Sequence, residues 1–325
     1  MSLPKLRIVF LDAATYGDVS LQSFTDDWDC TVHQVTTPGQ TIQRLAGHYV
    51  AVTNKVVIDR KVLNSPEAKD LQLIVVAATG TDIIDRQEAA KRGVKVCNVP
   101  GYATQSVAQF TLGLILELAT RTGSYVDAVK AGEWQKSAVF SLLTYPTIEL
   151  RGRKLGIIGF GNIGQTVAQM AGGLGMEILV AARPGTAAPI PQGRIALDRL
   201  FRQADFISLH CPLTPETNNL INAQSLALMK STAFLINTAR GALIDEVALI
   251  DALRKNQIAG AALDVITQEP PPADHSIIRA AKELDNLLVT PHTAWSAREA
   301  RQRLLREVEE NIRAFIQGQD RNRVA

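Results

Sequence analysis

Three glycines mark the stretch of the chain where a chemical function can first be read. Gly159, Gly161 and Gly164 follow the apolar run 155–158 and precede the helix-forming segment 165–170. In such a turn the first glycine leaves the strand sharply, the second lets a pyrophosphate approach the backbone, and the third allows close helix–strand packing. The helix N-terminus adds N–H groups and partial positive charge. We therefore predict a dinucleotide-binding turn at Gly159, Gly161, Asn162, Ile163 and Gly164.

The elements around this turn form a repeating strand–helix pattern. Apolar strands are predicted at 155–159, 176–181, 205–209, 233–236, 258–263 and 286–290, with helices at 197–202, 223–229 and 246–255. Six such strands predict a doubly wound parallel sheet, whose ligand lies across the carboxyl ends of the strands. The residues that follow the strands are therefore candidates: Ala182, Arg183, His210, Cys211, Pro212, Asn237, Thr238, Ala239, Arg240, Asp264, Pro291 and His292.

The first hundred residues predict a second α/β unit. Strands are expected at 6–11, 29–35, 49–53, 73–77 and 94–98, with helical segments between them and no glycine fingerprint. A long helix, 104–120, is apolar nearly all round, so we expect it to be buried between domains or subunits. The charged amphipathic helix 297–316 is expected to return to the first unit.

The segment 128–146 is less regular and rich in aromatic and apolar residues, among them Trp134, Phe140, Leu143 and Tyr145. It is either a loop packed on its own domain or a dimerisation arm, because an exposed apolar loop of this size is a liability on a monomer.

Composition excludes several classes of function. The chain has 325 residues, 46% hydrophobic and 20% charged, with a net charge of +2. This charge predicts neither nucleic-acid nor membrane binding, and the longest apolar stretch, near 110–119, carries Glu117 and is too short to span a membrane. The three cysteines have neither metal-ligand nor disulfide spacing, so we expect no metal and a cytoplasmic location.

Motifs at the strand ends resemble those of the D-isomer-specific 2-hydroxyacid dehydrogenases, in the glycerate dehydrogenase (hydroxypyruvate or glyoxylate reductase) branch. They run in family order over nearly the whole chain, at 78–82, 98–102, 155–164, 237–241, 263–270 and 290–292. The resemblance implies a flavodoxin-like substrate domain (1–101 and 293–325) and a Rossmann NAD(P)-binding domain (102–292). It also implies a homodimer, with the arm at about 124–147.

The resemblance places three catalytic residues at Arg240, Glu269 and His292. Reduction of a 2-oxo acid needs a carboxylate anchor, which a guanidinium supplies with two parallel N–H bonds. It also needs a proton donor, for which an imidazole oriented by a carboxylate is suited. The alternatives are a surface salt bridge for Arg240, a solvated acid for Glu269, and His210 as a competitor of His292.

The remaining site residues are expected around these three. Thr79 and Gly80 would bind the substrate carboxylate through backbone N–H groups, together with Arg240 and His292. Pro212, Thr238, Ala239, Arg240 and His292 are expected to line the cofactor. Asp264 resembles the family residue that contacts the nicotinamide end, and a turn cap is the alternative.

The turn after the second strand of this sheet predicts the choice of cofactor. The acid that normally binds the adenine ribose is missing, and Ala182 and Arg183 stand there. A guanidinium can bind a 2′-phosphate that an acid would repel, and Gly185 and Thr186 could add donors. NADP is therefore expected to be preferred; in the alternative, Arg183 stacks on the adenine and either cofactor is used.

These observations together predict an NAD(P)H-dependent reductase of small 2-oxo acids, hydroxypyruvate or glyoxylate, giving D-2-hydroxy acids such as D-glycerate, with the reverse oxidation. Two alternatives remain open. One is a dehydrogenase of another small anion, formate or phosphite. The other is a non-enzymatic nucleotide sensor like the corepressors that share this fold.

Overall fold

The computed structural model describes residues 6–185 and 189–325. The chain divides into two compact units, Met1–Ala103 with Ser296–Ala325 and Thr104–Trp295. The sequence analysis placed these boundaries at 101/102 and 292/293. Each unit contains one parallel sheet with helices between its strands, as predicted.

The first unit has a five-stranded sheet in the order β2-β1-β3-β4-β5, which is the flavodoxin-like order. Its strands are β1 (Arg7–Phe10), β2 (Asp29–Val32), β3 (Val50–Thr53), β4 (Leu73–Val76) and β5 (Lys95–Cys97), and its helices include α1 (Gln22–Asp27), α2 (Thr41–Leu45), α3 (Arg60–Leu63) and α4 (Arg86–Lys91). All four residues of β3 and of β4 are buried. Such continuous apolar strands are typical of a parallel sheet covered on both faces.

The second unit opens with two consecutive helices, α5 (Thr104–Thr120) and α6 (Thr122–Lys130). The bounds of α5 are those predicted. α6 was not predicted; it begins before the less regular stretch 128–146 and overlaps only the first residues of that stretch. α5 packs against the helix that follows the glycine turn and against the middle of the second sheet. Apolar residues of α5, among them Ala108, Ile115 and Leu118, are therefore buried in the core of its own unit, which explains part of its apolar character.

The second sheet has six parallel strands in the order β11-β10-β9-β8-β6-β7. The elements are β6 (Lys154–Ile158), α7 (Asn162–Gly173), β7 (Glu177–Val180), α8 (Leu197–Gln203), β8 (Phe206–Leu209), α9 (Ala223–Leu228), β9 (Phe234–Asn237), α10 (Glu246–Arg254), β10 (Gly260–Leu263), α11 (Ser276–Glu283) and β11 (Leu287–Val289). Beyond β7, an isolated parallel bridge joins Ala181 to Ile195. Since all six strands are parallel, their carboxyl ends meet at one edge of the sheet.

The last helix, α12 (Arg298–Ile316), belongs to the first unit. Its buried Asn311 donates from Nδ2 to the carbonyl of Asn98 at 2.9 Å and accepts from Nδ2 of Asn322 at 3.0 Å. The residues after α12 continue to β5, where the Val324 N–H donates to the Val96 carbonyl at 2.8 Å. Among the described residues, no helix combines the length and apolarity that a membrane crossing needs.

Candidate active site

The glycine turn has the geometry that its spacing predicts. At Gly159, where φ is +94°, a Cβ would lie 2.4 Å from backbone atoms of His210 and Cys211, and at Gly164 it would lie 2.2 Å from the Gly159 carbonyl oxygen. These two glycines are required by packing alone. At Gly161, by contrast, a Cβ would meet nothing within 4 Å.

Gly161 is the N-cap of α7 and makes no side-chain cap hydrogen bond. The N-cap side chain therefore does not occupy the backbone N–H groups of the first helical turn, among them those of Asn162 and Ile163. An open approach at Gly161 and an uncapped helix N-terminus are what a pyrophosphate needs. The residues present therefore fit a dinucleotide.

The turn after β7 carries Ala182, which is half-buried, and Arg183, which is exposed. Gly185 follows with φ +75°, and a Cβ there would lie 3.0 Å from Cγ of Glu216. A hydrogen bond from Thr214 and, more weakly, the charge of Arg183 lower the pKa of the exposed Glu216 carboxyl. The sequence analysis did not consider Glu216, which lies far along the chain from this turn. Thr186 lies outside the described residues.

The segment after β8 brings His210 and Cys211 against Gly159 of the glycine turn, and Pro212 follows them. The Nε2 atom of His210 lies 2.8 Å from Oγ of Ser208. Burial lowers the pKa of His210 to about 4, so its ring is neutral near pH 7. Pro212 is exposed, and its carbonyl accepts a 2.7 Å hydrogen bond from Oγ1 of Thr217. His210 thus has the properties of a structural imidazole.

The turn after β9 is shaped by Asn237, which is fully buried. Its Oδ1 accepts from the Ala239 N–H at 3.0 Å, and its Nδ2 donates to the Arg240 carbonyl at 2.8 Å. Oγ1 of Thr238 lies 3.0 Å from Oγ1 of the buried Thr111 on α5. An amide side chain at the end of a predicted strand was the sequence signal for this role, and the sequence analysis named Asn237 only as a strand-end residue.

Arg240 is half-buried, and its Nη1 donates to the Ala239 carbonyl at 2.8 Å. The next residue, Gly241, touches the backbone after β10: a Cβ there would lie 2.0 Å from the carbonyl carbon of Ile266 and 2.5 Å from the Thr267 nitrogen. Only glycine permits this approach. It brings the Arg240 turn against the loop that carries Glu269.

Glu269 and His292 form a direct pair. Oε2 of Glu269 lies 2.5 Å from Nδ1 of His292, and Oε1 accepts from the Ile266 N–H at 3.0 Å. The two side chains are about one-third exposed, at 32% and 28%. A carboxylate at Nδ1 orients the ring and directs Nε2 away from it, as a proton donor or acceptor requires.

The loop that carries His292 depends on Asp264, which is 1% exposed. Its Oδ1 accepts from Oγ1 of Thr290 at 2.6 Å and from the Thr293 N–H at 2.9 Å, and its Oδ2 accepts from the Ala294 N–H at 2.9 Å. This geometry is that of the turn-cap alternative. His292 itself has φ +54°, a left-handed conformation that costs roughly 1–3 kcal/mol in a non-glycine residue and persists where its surroundings enforce it.

Thr79 and Gly80 follow β4 in the first unit. Oγ1 of Thr79 donates to the Val99 carbonyl at 3.0 Å, and the Thr79 carbonyl accepts from Nδ2 of Asn98 at 2.7 Å. The two matching stretches of the first unit are therefore joined to each other. Their contribution to substrate binding stays a prediction. Within the described residues, no cluster of His, Cys, Asp or Glu could hold a metal ion.

Comparisons with known proteins agree on one family. The model of the "D-isomer specific 2-hydroxyacid dehydrogenase, NAD binding domain" matches residues 112–294. A glycerate dehydrogenase of Methylorubrum extorquens is 40% identical over 97% of this chain and 98% of its own. A hydroxypyruvate reductase of Blautia hydrogenotrophica is 34% identical over 96% of this chain and 98% of its own. The solved structure of an acyclic imino acid reductase with NADPH and D-Arg is 27% identical in sequence. It superimposes with a TM-score of 0.82 and covers 98% of this chain and 100% of its own.

The glycines of the turn yield a prediction, because packing constrains one of them and leaves another open. Gly164→Ala should destabilise the protein by about 1–3 kcal/mol, since its Cβ would overlap the Gly159 carbonyl. Gly161→Ala should lower the melting temperature less than Gly164→Ala, since only a weaker N-cap of α7 results. It should nevertheless weaken nicotinamide dinucleotide binding, because the new methyl group fills the approach to the backbone. Calorimetry and a fluorescence titration measure the two effects. Full dinucleotide affinity in Gly161→Ala would contradict the assigned approach.

Proposed function

The chain belongs to the D-isomer-specific 2-hydroxyacid dehydrogenase family, and we propose that it reduces small 2-oxo acids, hydroxypyruvate or glyoxylate, to D-2-hydroxy acids such as D-glycerate, and catalyses the reverse oxidation. The observation that carries this proposal is the Glu269–His292 pair, 2.5 Å apart, beside a loop that Gly241 brings against the Arg240 turn. The names of the relatives favour neither a formate or phosphite dehydrogenase nor a corepressor.

Each of the three residues has a distinct role in this proposal. Arg240 binds the substrate carboxylate with two N–H bonds and polarises the neighbouring keto group. His292 delivers a proton from Nε2 to the keto oxygen, because its Nδ1 faces Glu269. Glu269 fixes the orientation of the ring and balances its charge. A nicotinamide dinucleotide, when bound, supplies the hydride.

The other predicted site residues serve the two ligands. We propose that the glycine turn binds the pyrophosphate and that Pro212, Thr238 and Ala239 line the cofactor. Asp264 reaches the same site through the loop of His292. For Thr79 and Gly80, the proposal is that their backbone N–H groups bind the substrate carboxylate.

The role of His292 can be tested directly. His292→Ala should lower kcat for the reduction of hydroxypyruvate by about 10²–10⁴-fold, because it removes the proton donor. Its dissociation constant for NADPH should stay close to that of the wild type, since the glycine turn is untouched. His33→Ala, at a half-buried histidine of the first unit, is the control and should keep full activity. Unchanged kcat in His292→Ala would exclude this role.

For the cofactor, we propose that NADP is preferred over NAD. The support is local: Ala182 carries no charge to repel a 2′-phosphate, and Arg183 is exposed at the same turn. Arg183 also has Glu216 in its electrostatic neighbourhood. A 2′-phosphate would therefore share the guanidinium with a carboxylate, which limits the preference without removing it.

Steady-state kinetics with both reduced cofactors test the preference. The wild type should show a higher kcat/KM with NADPH than with NADH. Arg183→Gln should lower the kcat/KM for NADPH by about tenfold or more, because charge-assisted hydrogen bonds to the phosphate are lost. Arg199→Gln, at an exposed arginine of α8, is the matched control. A kcat/KM for NADH equal to or above that for NADPH in the wild type would overturn the preference.

We also propose that the arm at 124–147 pairs two copies of the chain. It is internally ordered: Tyr125 and Tyr145 stack edge to face at 5.1 Å, and Nε1 of Trp134 donates to the Phe140 carbonyl at 3.0 Å. Yet Phe140 is 92% and Leu143 85% exposed. An ordered segment that points apolar side chains outward is typical of a protein interface, and a homodimer is the commonest assembly.

A cytoplasmic location is proposed from the cysteines. Cys97 and Cys211 are free thiols, and burial raises the pKa of each to about 11. Thiols kept protonated in this way are unreactive structural residues. Free cysteines are typical of proteins from a reducing compartment.

A further inference from the structure

Glu246 begins α10, five residues after Gly241, and its side chain is only 10% exposed. An acid at the first position of a helix is normally solvated. The cap of α10 is made by its neighbour Asp245, whose Oδ1 accepts from the Val247 and Ala248 N–H groups at 3.1 Å each. Burial of the Glu246 carboxylate is therefore not explained by helix capping.

The carboxylate of Glu246 instead contacts both ends of the loop that carries Glu269. Its Oε1 accepts from the Thr267 N–H at 2.7 Å, and its Oε2 lies 3.6 Å from Nε2 of His275. His275 caps α11, where its Nδ1 accepts from the Ile277 N–H at 3.3 Å, so Nε2 carries the hydrogen that faces Glu246. The carboxylate thus holds the start of the segment 267–275 by a hydrogen bond, and at the end of the segment it lies close to the His275 ring without a hydrogen bond.

The peptide between Ile266 and Thr267 is held from two sides. Gly241 packs on it at a distance that excludes a Cβ, and Glu246 accepts its N–H. Ile266 in turn donates its own N–H to Oε1 of Glu269. The contacts of one short segment, Gly241 to Glu246, therefore connect the Arg240 turn to the carboxylate that orients His292.

We propose that Glu246 is a positioning residue, which keeps the turn that binds the substrate carboxylate in register with the proton-relay loop. It acts through the Ile266–Thr267 peptide and touches no reacting atom. This inference rests on the proposed roles of Arg240, Glu269 and His292. A displacement of about 1 Å in such a constellation lowers turnover by up to ~100-fold, so the effect of losing Glu246 belongs in kcat rather than in KM.

Two conservative variants of Glu246 distinguish the effect of its side-chain length from the effect of its charge. Glu246→Asp keeps the charge but is one methylene too short to accept the Thr267 N–H. Glu246→Gln keeps the length and an acceptor oxygen but loses the charge. We expect Glu246→Asp to lower kcat about tenfold or more, with KM and NADPH affinity little changed, and Glu246→Gln to stay within about threefold of the wild type. Asp198→Asn, at an exposed acid in the first turn of α8, is the control.

Hydrogen exchange of the Thr267 amide measures the hydrogen bond to Glu246 directly and does not depend on catalytic activity. Exchange should accelerate in Glu246→Asp and stay slow in Glu246→Gln and in the control. Wild-type kcat and slow exchange in Glu246→Asp would overturn the proposal, and so would a larger loss of kcat in Glu246→Gln than in Glu246→Asp. If the wild type reduced no 2-oxo acid, the proposed function would fail, whereas the exchange data would still show whether Glu246 holds the loop.

Discussion

The buried carboxylate of Asp264 is the constraint on which the candidate active site depends. It follows β10 and accepts hydrogen bonds from three groups of the loop after β11, at Thr290, Thr293 and Ala294. A carboxylate that is 1% exposed would be costly without such partners. Because the bonds flank His292 on both sides, they hold its backbone in the left-handed conformation and turn the ring toward Glu269.

Close backbone contacts assemble the rest of the site around this loop. Gly159 packs on His210 and Cys211, Gly164 packs on Gly159, and Gly241 packs on Ile266 and Thr267. Each contact joins segments that follow different strands of the parallel sheet, or a strand and its helix. The parallel order brings these segments to one edge, and the missing Cβ atoms let them touch there.

The sequence predicted the features that depend on local patterns. Both sheets, the bounds of α5 and the turn at Gly159, Gly161 and Gly164 follow from periodicity and spacing, and the structure contains them. Contacts between distant segments were beyond reach: Glu216 near Arg183, Thr111 at Thr238, and Thr267 at Glu246 are all separated by long stretches of chain. For Asp264 the sequence left two interpretations: its hydrogen-bond partners show a turn cap, and its contact with the nicotinamide end stays a prediction. The helices α6 and α11 were not predicted, although the shorter helices α8 and α9 were.

The pH dependence of kcat/KM for the reduction of hydroxypyruvate tests the central claim, that the Glu269–His292 pair supplies the proton. Burial lowers the pKa of His210 to about 4 and raises that of Cys211 to about 11, so neither group titrates between about pH 6 and pH 10. The account predicts that the rate of reduction falls as the pH rises from neutral to alkaline, because each turnover consumes a proton, and that Glu269→Gln lowers the rate at neutral pH by releasing the orientation of the His292 ring. A rate that climbs over the same range would contradict it.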